Sequence, residues 1–286
     1  MKLGFAILAL SLTPVLAAQE PPAVPFHLID GWAVVLDGTV GGIPDRKIMI
    51  DTGAVPSAIN SKFVKQLGLA GSFQKLSAMN RSVDAQRLRV PDVRIGPISA
   101  EALDMMAVDL GQIERRLDTH IDAVIGLDFL ARRNFRIDYR HKKLAFDNKH
   151  GFGNAGAITV ELRHAAGGTY LIVPLQTAGH HQLHVLLDTG TRDLTLFDRR
   201  VGDMLHLLRV LGKDLNVTAG GRDALVAVEM DSINVGPIFL PKQKAYVLTT
   251  SEEDLRDFDG VLGPIALGAS AVTFDFDGHN ISFETR

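Results

Sequence analysis

Short apolar segments of strand length, each bounded by turn residues, recur along most of the chain. Trp32 to Leu36 and Lys47 to Ile50 lie around the turn residues Gly41-Gly42-Ile43-Pro44, and Tyr170 to Leu175 and Leu183 to Leu187 bracket Gly179 in the same way. Such segments predict hairpins of short strands. Apolar residues at three- and four-residue spacing are rarer, and predict helices only over Ser61 to Leu69 and, longer, Asp198 to Leu211. Many strands and few helices predict an all-β fold and exclude an alternating parallel α/β architecture. At the start, Met1-Lys2 precedes an apolar run from Leu3 to Leu16 and the small residues Ala17 and Ala18. This is the layout of a secretory signal peptide, 1–18, with cleavage expected after Ala17 or Ala18. Pro14 interrupts the run, which is shorter than the roughly 20 residues that span a bilayer. The expectation is an exported protein, periplasmic or secreted, with no stable membrane anchor once the signal is cleaved.

The chain also repeats itself. Asp51-Thr52-Gly53 returns 137 residues later as Asp188-Thr189-Gly190. At the same interval Val124-Ile125-Gly126 returns as Val261-Leu262-Gly263, and Phe135-Arg136-Ile137-Asp138-Tyr139 is echoed by Val272-Thr273-Phe274-Asp275-Phe276. Between them Ile95-Gly96-Pro97-Ile98 is echoed by Val235-Gly236-Pro237-Ile238 at a slightly longer interval, a shift that surface loops tolerate. A repeat of this kind predicts two homologous lobes, 24–149 and 155–286, joined through the Gly-rich stretch from Lys149 to Gly156.

Composition narrows the picture. At 46% hydrophobic and 22% charged residues the chain is an ordinary globular protein, and 30 basic against 33 acidic residues offer no support for a nucleic-acid partner. The absence of cysteine excludes disulfides and thiolate chemistry. His180-His181-Gln182-Leu183-His184 has a metal-like look, but spacing without a second carboxylate or histidine partner nearby is a weak ligand pattern, so no metal is expected there. Arg132-Arg133 and Arg199-Arg200 read as solvated faces, and the repeated Asp138 and Asp275 as structural residues.

The candidate chemistry lies in the duplicated Asp-Thr-Gly. Each follows an apolar strand, Ile48-Met49-Ile50 and Val185-Leu186-Leu187, that delivers a charge into apolar surroundings, which is costly unless the charge is paired or used. Two carboxyl groups within hydrogen-bonding distance cannot both ionise readily and so share a proton. One can then take a proton from an attacking water while the other donates to a carbonyl oxygen. No cofactor is needed for that reaction.

Ile50-Asp51-Thr52-Gly53-Ala54, followed by Val124-Ile125-Gly126-Leu127-Asp128-Phe129-Leu130, resembles the retropepsin-like aspartic proteases, in which a hydrophobic-hydrophobic-Gly segment passes beneath the catalytic loop. Leu187-Asp188-Thr189-Gly190-Thr191 and Gly260-Val261-Leu262-Gly263 resemble the same pattern. The resemblance covers nearly the whole mature chain. It implies two β-barrel lobes about a pseudo-twofold axis, catalysis by Asp51 and Asp188, Thr52 and Thr189 locking the loops together, Gly53 and Gly190 permitting the tight turn, and Gly126 and Gly263 beneath the loops. It implies a Thr191 hydroxyl donating to Asp188, making Asp188 the more readily ionised carboxyl. It further implies flap hairpins, with candidate tips at Met79 and Asn80 and at Gly220 and Gly221. Neither candidate flap contains the tyrosine of pepsin, so a two-flap retropepsin arrangement is expected. Only Gln19 to Pro25 separate the signal from the first strand, too few for an inhibitory prosegment. The implied activity is an endopeptidase acting on a protein or peptide bound in extended form, and a monomer, since both halves of the dyad are in one chain.

Two other functions are compatible with parts of the pattern. A non-catalytic peptide-binding protein on the same fold is one. An actin-like nucleotide-binding protein, suggested by Asp188-Thr189-Gly190-Thr191, is the other, and the chain's poverty in helix and expected export argue against it.

Overall fold

The computed structural model describes residues 22–78, 81–147, 152, 156–165, 168–218, 221–249 and 258–285. The expected signal peptide lies outside them, as do Met79, Asn80, Gly220 and most of the expected joint between 149 and 156. The fold is all-β with a few short helices, arranged in an eight-stranded, a ten-stranded and a six-stranded sheet.

The eight-stranded sheet draws on residues 27–125. Its hairpin from Ala33–Val40 to Ile43–Ile50 turns at Gly41 and Gly42, both at positive φ (66° and 75°), the backbone a two-residue hairpin turn demands. Ile48 and Ile50 point into the main core while Met49 points into a second apolar layer on the other face. Burial on both faces explains why this strand reads as an unbroken apolar run rather than an alternating one. By contrast Ile98–Val108 starts by alternating, with Ile98 and Ala100 buried and Ser99 and Glu101 exposed. The helix Ser61–Leu67 is capped by the Asn60 side chain, which accepts from the Lys62 N–H (3.1 Å), and ends at Gly68 in the left-handed conformation (φ 64°).

The ten-stranded sheet draws on residues 161–262. In it Gln182–Leu187 pairs in parallel with Gly260–Leu262, just as Ile43–Ile50 pairs in parallel with Ala123–Ile125 in the first sheet. The helix expected over Asp198 to Leu211 does not form: Gly202–Leu207 is a short 3₁₀ segment and Arg209–Thr218 is a strand. Val201 and Met204 are buried, but Leu205, Leu207, Val210 and Leu211 remain 36–68% exposed, so no packed face rewards a helix. Pairing of Arg209–Thr218 with Gly221–Met230 wins instead, tertiary context overriding the local spacing.

The six-stranded sheet runs Ala23–Pro25, Lys143–Phe146, Phe135–Asp138, Ala269–Asp275, Asn280–Thr285, Ile158–Thr159. Its middle seam pairs Phe135–Asp138 antiparallel with Ala269–Asp275, and the Phe135 and Phe274 rings stack across it with centroids 4.3 Å apart. Among the described residues no helix is long and apolar enough to cross a membrane.

Candidate active site

Asp51 and Asp188 each sit one residue beyond a buried strand. Their backbone N–H groups donate to the carbonyls of Ile125 and Leu262, at 3.0 Å in both cases, so each aspartate is tied to the strand paired in parallel with its own. The two loops meet through Thr52 and Thr189, both buried. The Thr52 N–H donates to the Thr189 hydroxyl and the Thr189 N–H to the Thr52 hydroxyl, each at 3.0 Å. Each hydroxyl passes its own proton to the chain opposite, Thr52 to Leu187 O (2.9 Å) and Thr189 to Ile50 O (3.2 Å). Four bonds thus fix one loop against the other.

Gly53 and Gly190 are required by proximity. Both stand in the expected turns but neither is among the glycines at positive φ, so it is the space opposite that calls for glycine. A Cβ at Gly53 would stand 2.5 Å from Asp188 Cγ, and one at Gly190 would collide with the Asp51 carboxyl. Gly126 and Gly263 lie under the loops in the same sense: a Cβ on either would overlap the carbonyl oxygen of Ala54 or Thr191.

The carboxyl groups of Asp51 and Asp188 are hydrogen-bonded to one another. Burial is the largest influence on both and raises each above the ordinary carboxylate range. The pair is not symmetric. Asp51 Oδ1 accepts from the N–H groups of Gly53 (2.9 Å) and Ala54 (3.0 Å), and Asp188 Oδ1 from Gly190 (2.7 Å), with the Gly53 N–H also favouring the charged form of Asp188. Burial and then the neighbouring Asp51 carboxyl hold Asp188 well above its usual range, while the Gly53 and Ala54 N–H groups oppose the effect of burial on Asp51. The hydroxyl donor expected on the Asp188 carboxyl is not in place. Thr191 supplies its backbone N–H to Asp188 O (3.3 Å), and among the described residues its hydroxyl makes no bond to either carboxyl.

Residues 36–129 match the aspartyl protease family. The match runs from within the strand Ala33–Val40 to the helix Leu127–Leu130 and contains the first Asp-Thr-Gly loop and Gly126. It supports protease activity in general terms. Comparison with curated protein sequences returns no significant match.

Two hairpins stand where flaps were expected. Ser72–Ala78 pairs with Arg81–Ile95, and Arg209–Thr218 with Gly221–Met230. Of the four tip residues only Gly221 is described; it opens its strand at φ 132°. Among the described residues no three acidic or histidine side chains gather to hold a metal ion. Asp138 bonds His141, and Asp275 accepts from Asn134 and from the Gly278 N–H, both away from the dyad loops.

Two further carboxylates escaped the sequence reading. Asp122 accepts the Lys47 N–H (2.9 Å) and Asp259 the His184 N–H (2.7 Å), pinning the strands that lead to the two aspartates. Their signal was present: each stands two residues before the repeated apolar pair and glycine. Ser57 and Asp128 were also missed. Ser57 donates its N–H (2.9 Å) and its hydroxyl to Asp128, and accepts from the Gly126 N–H (2.9 Å).

Proposed function

We propose that the chain is an exported aspartic endopeptidase of retropepsin-like type, built from two homologous halves, 24–149 and 155–286, with Asp51 and Asp188 as its catalytic pair. The observation that carries this reading is the hydrogen-bonded pair of carboxyls, each enclosed by the backbone of the opposite Asp-Thr-Gly loop. The aspartyl protease match over 36–129 supports the chemistry for the first loop. The recurrence of the same strand pairings and carboxylate pins at the second loop supports its extension there.

In the reacting state Asp51 is ionised and Asp188 carries the proton. A water between them loses a proton to Asp51 as its oxygen bonds to the peptide carbonyl carbon, and Asp188 gives its proton to the carbonyl oxygen. The product is a neutral gem-diol. On collapse Asp188 recovers a proton from one diol hydroxyl, Asp51 passes its proton to the departing nitrogen, and the C–N bond breaks. The dyad returns to its starting charge. The substrate lies extended under the hairpins Ser72–Ala78/Arg81–Ile95 and Arg209–Thr218/Gly221–Met230, which act as the flaps. A single chain suffices, and it works in the periplasm or outside the cell after residues 1–18 are removed.

The test is to incubate purified chain lacking residues 1–18 with an unfolded protein and identify the products by mass spectrometry. Internal peptide bonds should be cut, a pepstatin-type inhibitor should block cutting, and activity per molecule should not change on dilution. Cleavage by Asp51→Asn or Asp188→Asn at the wild-type rate, with normal thermal stability, would overturn the assignment.

A further inference from the structure

The two aspartate loops are held from behind by different devices. In the first, Gly126 N–H donates to Ser57 Oγ (2.9 Å), Ser57 Oγ–H donates to Asp128 Oδ1, and Ser57 N–H donates to Asp128 Oδ2 (2.9 Å). Ser57 is fully buried and Asp128 half-buried. This chain of bonds closes the segment from Asp51 to Ser57 onto the segment from Gly126 to Asp128. At the same interval in the second half stand Leu194, buried at 2% exposure, and Ile265, which can make no such bonds. There Gly263 N–H donates to the backbone carbonyl of Asp193 (3.1 Å) instead. One loop is therefore held by a side-chain clamp, the other by a backbone bond and apolar packing.

We propose that Asp128 is a positioning residue for Asp51, acting through Ser57 to keep the Gly53 and Ala54 N–H groups on Asp51 Oδ1. The clamp is on the same side as Asp51, which is held by two backbone donors from residues 53 and 54, only four and three positions from Ser57. Relaxing residues 54–57 turns those donors away and leaves Asp51 a poorer home for the charge. Burial pushes the Asp128 carboxyl above the ordinary carboxylate range despite the donors from Ser57, as expected of a carboxyl kept for its hydrogen bonds rather than its exposure. This inference rests on the protease reading of the same site.

The experiment compares Asp128→Asn, Ser57→Ala, the double variant and Ser57→Thr with the intact chain. Asparagine offers one acceptor oxygen where Asp128 uses two, so one Ser57 bond must be lost. Expected is a fall in kcat of about ten- to a hundredfold for Asp128→Asn and Ser57→Ala with KM retained, the size of effect that small misplacements produce. The double variant should be no worse than the poorer single, because both break one chain of bonds, and Ser57→Thr should keep most activity. The second readout is the carbon-13 titration of the Asp51 carboxyl, which should move to higher pH in both damaging variants. Folded variants with unchanged kcat and an unchanged Asp51 titration would overturn the proposal, as would losses that simply add. If Asp128→Asn does not fold, Ser57→Ala and Ser57→Thr decide it alone. An active Asp51→Asn enzyme would sink the protease reading separately, and the Asp51 titration would still read the clamp.

Discussion

Gly53 backs directly onto the carboxyl across the site: any side chain at residue 53 would stand 2.5 Å from Asp188 Cγ. Gly190 stands in the same relation to Asp51. Gly53→Ala and Gly190→Ala should each cost about 1–3 kcal/mol, the usual range for overfilling a packed site, and should abolish cleavage by forcing the two carboxyls apart. Chemical denaturation and a peptide-cleavage assay check the two effects. An alanine variant with normal turnover would show that the loops can separate without harm.

The crossed threonine bonds make a sharper contrast. Thr52→Val removes the hydroxyl that accepts from Thr189 N–H and donates to Leu187 O, leaving both buried groups unpaired. At roughly 1–3 kcal/mol for each of the two orphaned groups the loss should be about 2–6 kcal/mol. Thr52→Ser keeps the hydroxyl and should retain most of that stability in the same denaturant titration.

The dyad should leave a mark on stability as pH rises. Burial raises both carboxyls, so over the pH range between the unfolded and folded values the folded chain holds a proton that the unfolded chain releases. The stabilising contribution is therefore present at low pH and lost as pH climbs through the folded range. Asp188→Asn cannot ionise and still offers an N–H to Asp51. It should melt higher than the intact chain near neutral pH, with the gap closing below about pH 4, where both aspartates are protonated in either state. Calorimetry across pH measures the gap.

Glu114 should act in the opposite sense. Burial pushes its carboxyl up, but the Ile121 N–H, His120 and Lys62 together outweigh burial and hold it below the usual range. Its contribution is present above the ordinary glutamate value and lost as pH falls through the lowered one. Glu114→Gln should therefore lower the melting temperature near neutral pH and flatten the acid side of the stability profile.

Much of the strand layout was legible because burial leaves periodic traces. Ile48-Met49-Ile50 and Val185-Leu186-Leu187 could be read as buried strands, and the repeated Asp-Thr-Gly and apolar-apolar-Gly segments could be aligned by interval alone. The 198–211 region was misread because its leucines satisfy helical spacing while most stay exposed in the folded chain. Asp128 and Ser57 were invisible for another reason. They are 71 residues apart, and only the chain path brings hydroxyl and carboxyl together. The N–H groups that reach the Asp51 and Asp188 carboxyls depend on local backbone direction, which side-chain identity does not encode.

The six-stranded sheet interleaves strands from opposite ends of the chain: Ala23–Pro25 and Phe135–Asp138 lie on one side of its seam, Ala269–Asp275 and Asn280–Thr285 on the other. As the polypeptide emerges during synthesis, residues 135–138 must wait with an open edge until 269–275 have appeared. Asp51 and Asp188 both precede residues 269–275 in the chain, so the seam closes only after both acids have been made. A chain cut between residues 188 and 269 would carry both acids without this brace.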